Sequence, residues 1–275
     1  MIIDSHQHFW RYDPVLYDWI TAEMSVLKKD FLPDDLYPVL MKNGIEGCVS
    51  VQADQSERET EFLAQLADKR PFIRGVIGWV DLRSSNLRER LEYFSTSKKI
   101  KGFRHILQAE PPGYMTDEAF IQGVNTLSDF GFTYDLLIYH HQLDEALMFL
   151  SRTPAVKIVI DHMAKPSIRT REKTHWELRM AAASTYPNVY CKLSGMVTEA
   201  HWKDWKKDDF FPFMDEVFEA FGPERILYGS DWPVCLLAAG YDEQLSIVTD
   251  YISRLTKEEK EGVMGRNAKR FYNLE

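Results

Sequence analysis

The chain has 275 residues, is 45% hydrophobic and 27% charged, and carries a formal net charge of −9, with 42 acidic against 33 basic residues. That length suits one α/β barrel with a sizeable core, and the acidic balance without a basic run or arm argues against a nucleic-acid surface. Three scattered cysteines (Cys48, Cys191, Cys235) make no disulfide framework, no stretch approaches the ~18 apolar residues of a membrane span, and no signal-peptide pattern opens the chain, so a cytoplasmic location is expected.

Short apolar runs alternate with helical patterns from end to end. MIIDSHQHF predicts a first strand, and the segment Asp34–Asn43, stopped by Gly44, predicts a helix. IEGCVSVQA and FIRGVIGWV bracket a helix over Ser56–Lys69, in which Phe62, Leu63, Leu66 and Ala67 recur at helical spacing. Ser85–Phe94, IKGFRHIL, Asp117–Phe130, FTYDLLIY, Gln142–Arg152, VKIVIDHM, Thr174–Tyr186, NVYCKLSG, Phe211–Phe221 and RILYGSDW continue the alternation. A helix over Lys257–Phe271 closes the chain. Eight strands alternating with helices imply parallel pairing through right-handed crossovers. Residues 1–275 are therefore expected to form one domain, a single (β/α)8 TIM-type barrel. The rival open sheet would carry a Gly-rich phosphate loop after strand one, where this chain has His-Gln-His.

Active sites of such barrels lie at the C-terminal ends of the strands. Strand one ends in His6-Gln7-His8, and residues two apart on a strand share a face. Strand six ends in Asp161-His162, and strand eight in Ser230-Asp231-Trp232-Pro233. His6, His8, His162 and Asp231 thus converge. Taken singly, each is more simply a structural histidine or a turn aspartate; jointly they read as a site. Three imidazoles and a carboxylate suit Zn²⁺. They suit metal-free chemistry equally, with Asp231 deprotonating a water and histidine donors polarising a carbonyl. Gln52, Trp79, Arg104, His105, Lys165 and Lys192 also lie at strand ends and are expected to contact the substrate. Arg104 and His105 cannot share a face, and Arg104 is the better partner for an oxygen-rich ligand. His140 and His141 follow strand five, as loop residues or an extra ligand pair. Trp10, Trp19, Trp202 and Trp205 offer stacking surfaces or, more simply, core packing.

The ordered set DSHQHFW, DFLPDDL, GVIGWVDL, KGFRH, VIDHMAKP, CKLSGMVTEA, YGSDWPVC and RNAKRFYNL resembles the sugar-lactone hydrolase branch of the amidohydrolase superfamily, the L-fuconolactonases and L-rhamnonolactonases first and the pyrone dicarboxylate hydrolases more distantly. The resemblance runs from Ile2 to the C-terminus. It implies a distorted barrel that hydrolyses a sugar-lactone ester to an aldonate within carbohydrate metabolism. It gives Asp231 the role of general base, turns His6, His8 and His162 toward the substrate carbonyl, and makes Arg104 a substrate contact. The chain departs from the binuclear pattern, since strand four ends in Arg-His and strand seven carries Lys192 where a histidine is common. The expectation is no strictly required cofactor or one divalent ion, Zn²⁺ first and held by His6, His8, His162 and Asp231, rather than two metals. A small-molecule lactone is the expected partner, without nucleic acid or membrane, and a homo-oligomer is compatible with the sequence. The competing reading is a metal-dependent decarboxylase or hydrolase of a carboxylated aromatic or pyrone-type substrate on the same barrel.

Overall fold

The computed structural model describes residues 1–275. Eight parallel strands follow one another in chain order: β1 (Ile3–Gln7), β2 (Gly47–Val51), β3 (Ile73–Gly78), β4 (Ile100–Ile106), β5 (Thr133–Leu137), β6 (Ile158–Ile160), β7 (Val189–Leu193) and β8 (Ile226–Tyr228). Closure is made by the segment after β8 rather than by β8 itself. There His8 N–H donates to the Trp232 carbonyl (2.7 Å) and Asp231 N–H to the His6 carbonyl (2.8 Å). Two site residues are thereby fixed in register by the same ladder. This is the expected (β/α)8 barrel.

Helices α1 (Pro33–Lys42), α2 (Glu57–Lys69), α3 (Leu87–Ser95), α4 (Glu118–Thr126), α5 (Leu143–Ser151), α6 (Thr174–Ser184) and α7 (Phe211–Phe221) occupy the expected segments. Ser56 caps α2 by accepting from Glu59 N–H (3.2 Å), and Asp117 caps α4 by accepting from Phe120 N–H (3.2 Å), so each start is set by an ordinary cap. The helix expected over Asp117–Phe130 tightens into a 3₁₀ turn at Leu127–Phe130. Two readings need correction. Helix α8 (Tyr241–Tyr251) was not anticipated. The expected closing helix is two, α9 (Lys257–Glu261) and α10 (Asn267–Phe271), separated by a π turn at Gly262–Arg266. Gly265 permits that break, since a Cβ there would lie 2.3 Å from the Met1 carbonyl oxygen.

The inside of the barrel is layered. Ile3, Val49, Val51, Ile77, Val159 and Leu227 of the strands pack with Ala268, Phe271, Tyr272 and Leu274, so the chain's last residues form an apolar plug. Above it lies a buried charged layer, Arg104, Asp135, Asp161 and Lys192, capped by the imidazoles. A larger apolar cluster holds the buried faces of the helices against the strands.

Candidate active site

His6 and His8 leave β1 on one face, and their Nε2 atoms stand 3.2 Å apart. Asp231 Oδ1 lies 3.3 Å from His8 Nε2 and 3.7 Å from His6 Nε2. His162 packs edge-on against His6, with ring centroids 4.4 Å apart. The four residues expected to converge therefore do so, all of them buried.

Local backbone conformation aims two of them. The chain leaves β6 at Ile160, so Asp161 and His162 stand in the turn beyond the strand and not on it. His162, Met163, Ala164 and Lys165 all have positive φ, between 49° and 57°, and Asp231 has φ 58°. Left-handed non-glycine residues cost roughly 1–2 kcal/mol each, and such strain persists where surrounding bonds over-determine it. Here Trp176 Nε1–H donates to the Met163 carbonyl (2.7 Å), and His162 Nδ1 meets Ser194 Oγ (2.9 Å).

Electrostatics separates the acids from the imidazoles. Burial drives the His162 imidazole down to about 4 and the His6 imidazole well below its ordinary value, so both are neutral at pH 7. Burial alone would raise the Asp231 carboxyl, but the positive charge that His162, His8 and His6 carry when protonated outweighs it and holds the group below the usual carboxylate range. Asp161 behaves likewise: burial is overcome by Lys192, His6 and Arg104. Lys192 Nζ sits 2.9 Å and Arg104 Nη1 3.1 Å from its two oxygens.

A cavity of about 540 Å³ opens above these groups. His8, His162, Asp231, Arg104 and Lys165 line it, together with Trp19, Tyr139 and Trp202. Four of the expected substrate contacts do not line it, and the structure gives each other work. Gln52 Oε1 accepts from Arg104 Nη2 (3.2 Å), so it orients the arginine from behind. Lys192 is fully buried in the charged layer below. Trp79 Nε1–H donates to His105 Nδ1 (3.2 Å) and His105 Nε2 bonds Glu110 (2.8 Å), on the outer face of β4. Period-two alternation is the reason: Arg104 points in, so His105 points out. His140 and His141 also lie outside. His140 donates from Nδ1 to the Lys165 carbonyl (2.9 Å), and His141 stacks on Tyr139. Among the tryptophans, Trp10 is core and Trp205 donates to the Ala238 carbonyl (2.9 Å). Trp19 and Trp202 are cavity walls that residue type alone did not distinguish, as are Gln108 and Glu199. A larger depression of about 750 Å³ by the C-terminal helices gathers no such acid and base set.

The family model for amidohydrolases matches residues 3–274. The chain belongs to the amidohydrolase family. This amidohydrolase is 40% identical to an L-fucono-1,5-lactonase of Burkholderia multivorans, over 99% of its own length and 96% of the relative's. It is 32% identical to an L-fucono-1,5-lactonase of Burkholderia ambifaria over the same shares. The crystal structure of an amidohydrolase from Burkholderia multivorans with bound zinc superposes with a TM-score of 0.97 at 39% identity, covering all of both chains. Decarboxylases of hydroxylated benzoates, at 13% and 15% identity, share the fold alone.

His6, His8 and Asp231 fit a divalent cation. Their donor atoms lie within 4.8 Å of one another. Tetrahedral Zn²⁺ with bonds of 2.0–2.1 Å spaces its ligands by roughly 3.3 Å, close to the separations given above. His8 Nδ1 lies 2.8 Å from the Val51 carbonyl, which only accepts, so the lone pair of neutral His8 is on Nε2. A second group, His6, Asp161 and His162, also has metal-ligand spacing. Its carboxylate is already held by Lys192 and Arg104 and has little charge to offer a further cation.

Proposed function

We propose that the protein opens a sugar lactone, of the L-fucono- or L-rhamnonolactone type, to the aldonic acid by direct attack of water on the lactone carbonyl. The convergence of His8 Nε2 and Asp231 Oδ1, which line a cavity of about 540 Å³, with His6 Nε2 buried directly behind them carries the reading. The full-length similarity to L-fucono-1,5-lactonases supports the substrate class. Asp231 stays ionised at neutral pH and takes the proton of the attacking water. That transfer succeeds only while charge on the carbonyl oxygen is stabilised. His6, His8 and His162 surround that position and orient the carbonyl. Bound between His6, His8 and Asp231, a single Zn²⁺ would act as a Lewis acid on the carbonyl oxygen. Asp231 then returns its proton to the leaving alkoxide. Arg104 and Lys165 supply the positive charge that the aldonate product needs. Trp19 Nε1–H and the Gln108 amide nitrogen have no hydrogen-bond partner beside this cavity, which suits a ligand rich in hydroxyls.

The test is hydrolysis of a sugar-lactone panel followed with a pH indicator, before and after exhaustive chelation. Turnover of a deoxyhexono-lactone is expected; no turnover of any lactone overturns the reading. Loss on chelation with recovery on Zn²⁺ supports the single-metal form, and full activity after chelation the metal-free form. Asp231→Asn removes the base and is expected to lower kcat by at least ~10²-fold.

A further inference from the structure

His6 Nδ1 has two partners at one distance. Lys192 Nζ and Asp161 Oδ1 each lie 3.3 Å away. Their demands are opposite: an ammonium only donates and needs a bare nitrogen, whereas a carboxylate only accepts and needs an N–H. A neutral imidazole carries one N–H, so the choice at Nδ1 decides what Nε2 presents to the site. In its neutral form His8, whose Nδ1–H is taken by the Val51 carbonyl, faces His6 Nε2 with a lone pair on Nε2, 3.2 Å away. With its proton on Nε2, His6 donates to His8 and accepts from Lys192 while Arg104 Nη1 keeps its shorter bond to Asp161 Oδ2 (3.1 Å), and the pair is satisfied without a cation. With its proton on Nδ1, donated to Asp161, His6 turns a second lone pair toward His8 Nε2 and the Asp231 carboxylate. Arg104 Nη1, 3.4 Å from His6 Nε2, then supplies only one donor against three acceptors, and a cation stabilises the set.

We propose that Lys192 and Asp161 are positioning residues that set the tautomer of His6, closing the His6–His8 pair on itself in the cation-free enzyme and freeing its donor atoms when a divalent cation enters. One proton leaves Nε2 and one arrives at Nδ1, so the imidazole stays neutral. The barrel is built to keep both partners in place. Lys192 is fully buried and bonded to Asp135, whose oxygens accept from the Tyr272 hydroxyl at 3.0 and 2.9 Å, so the ammonium cannot swing to water. Asp161 Oδ1 has no aligned hydrogen-bond donor although Lys192 lies 2.9 Å away, which leaves an acceptor ready for the Nδ1 proton.

The inference rests on the His6–His8–Asp231 set as a cation site, and its readouts do not use lactone turnover, so failure of the proposed reaction leaves them standing. The chelator-treated protein, labelled with ¹⁵N-histidine, is followed by long-range ¹H–¹⁵N correlation, with His6 assigned by its loss in His6→Gln. His6 is expected to be Nε2-protonated without metal and Nδ1-protonated after one equivalent of Zn²⁺. Lys192→Met should show the Nδ1-protonated form without Zn²⁺. Where that variant does not fold, Asp161→Asn decides. It should keep His6 Nε2-protonated and lower Zn²⁺ affinity about 10- to 100-fold in competition with a chelating dye. One tautomer with and without Zn²⁺, no uptake of Zn²⁺, or wild-type affinity in Asp161→Asn overturns the proposal.

Discussion

Gly195 controls how closely the backbone approaches His162. Its φ is +60°, and a Cβ there would lie 2.5 Å from His162 Nδ1, the nitrogen that meets Ser194. Gly195→Ala should therefore push the imidazole off its bond as well as strain the backbone by roughly 1–2 kcal/mol. Gly131 provides the comparison. Its φ is +73°, but nothing lies within 4 Å of a Cβ built there. Both alanine variants should lower Tm by a few degrees, on the usual scale for a chain of this size. Only Gly195→Ala should lose at least ~10-fold in kcat, the lower edge of what a misplaced catalytic group costs. Equal kcat in the two variants would remove His162 from the reacting centre. At this scale the sequence was informative where a residue's role follows from alternation. His6 with His8, and Arg104 against His105, follow from the two-residue period of a strand. The left-handed turn at His162–Lys165 was not legible, because His, Met, Ala and Lys have no local reason to adopt positive φ and only tertiary bonds hold them there.

The elements themselves were largely readable, and the exceptions have physical causes. Eight strands stand out because buried parallel strands are continuous apolar runs. Helix α8 hides its periodicity because its buried face is built of Tyr241, Gln244, Ile247, Val248 and Tyr251, so polar side chains serve as core. There Gln244 bonds the Tyr228 hydroxyl (2.9 Å) and the Gly229 carbonyl (3.1 Å), which ties the helix to the end of β8 and the segment that carries Asp231. The π turn before α10 is equally silent in sequence, since the close approach of Met1 that leaves no room for a side chain at Gly265 is a tertiary contact. That turn sets α10 beneath the barrel and delivers Tyr272 to Asp135. Tyr272→Phe keeps the apolar plug and removes a hydroxyl from a buried carboxylate. It should cost about 1–3 kcal/mol, read as a lower denaturant midpoint at unchanged slope. No change in midpoint would mean that Lys192 alone holds Asp135.

Over the whole molecule, the charged layer inside the barrel and the acids around the cavity link the site to stability. Asp135 and Asp161 were not picked out as site residues, because a lone aspartate within or just after an apolar strand signals nothing until its partner, Lys192 on β7, is placed beside it. Glu59 is the third such acid, and it acts from α2. Its Oε2 accepts from Ala53 N–H (2.9 Å) and Asp54 N–H (2.7 Å), and its Oε1 from the Tyr17 hydroxyl (3.1 Å), so one carboxyl pins the β2–α2 loop that forms part of the cavity wall. Burial raises this carboxyl from 4.5 to about 7, outweighing the two N–H donors. Between those values the folded chain holds more protons than the unfolded chain, so stability falls as pH rises through the window, and the loss is complete above about 7. The span of roughly 2.5 pH units corresponds to about 3 kcal/mol at 1.36 kcal/mol per unit. Glu59→Gln keeps an acceptor for the two N–H groups and cannot ionise. The Tm of the variant relative to wild type should therefore be near zero at pH 4.5, rise through pH 7 and level off above it, with the cavity-wall loop intact throughout. A difference independent of pH would show that Glu59 is charged in the folded protein already at pH 5, and that Tyr17 and the two amides stabilise the carboxylate fully.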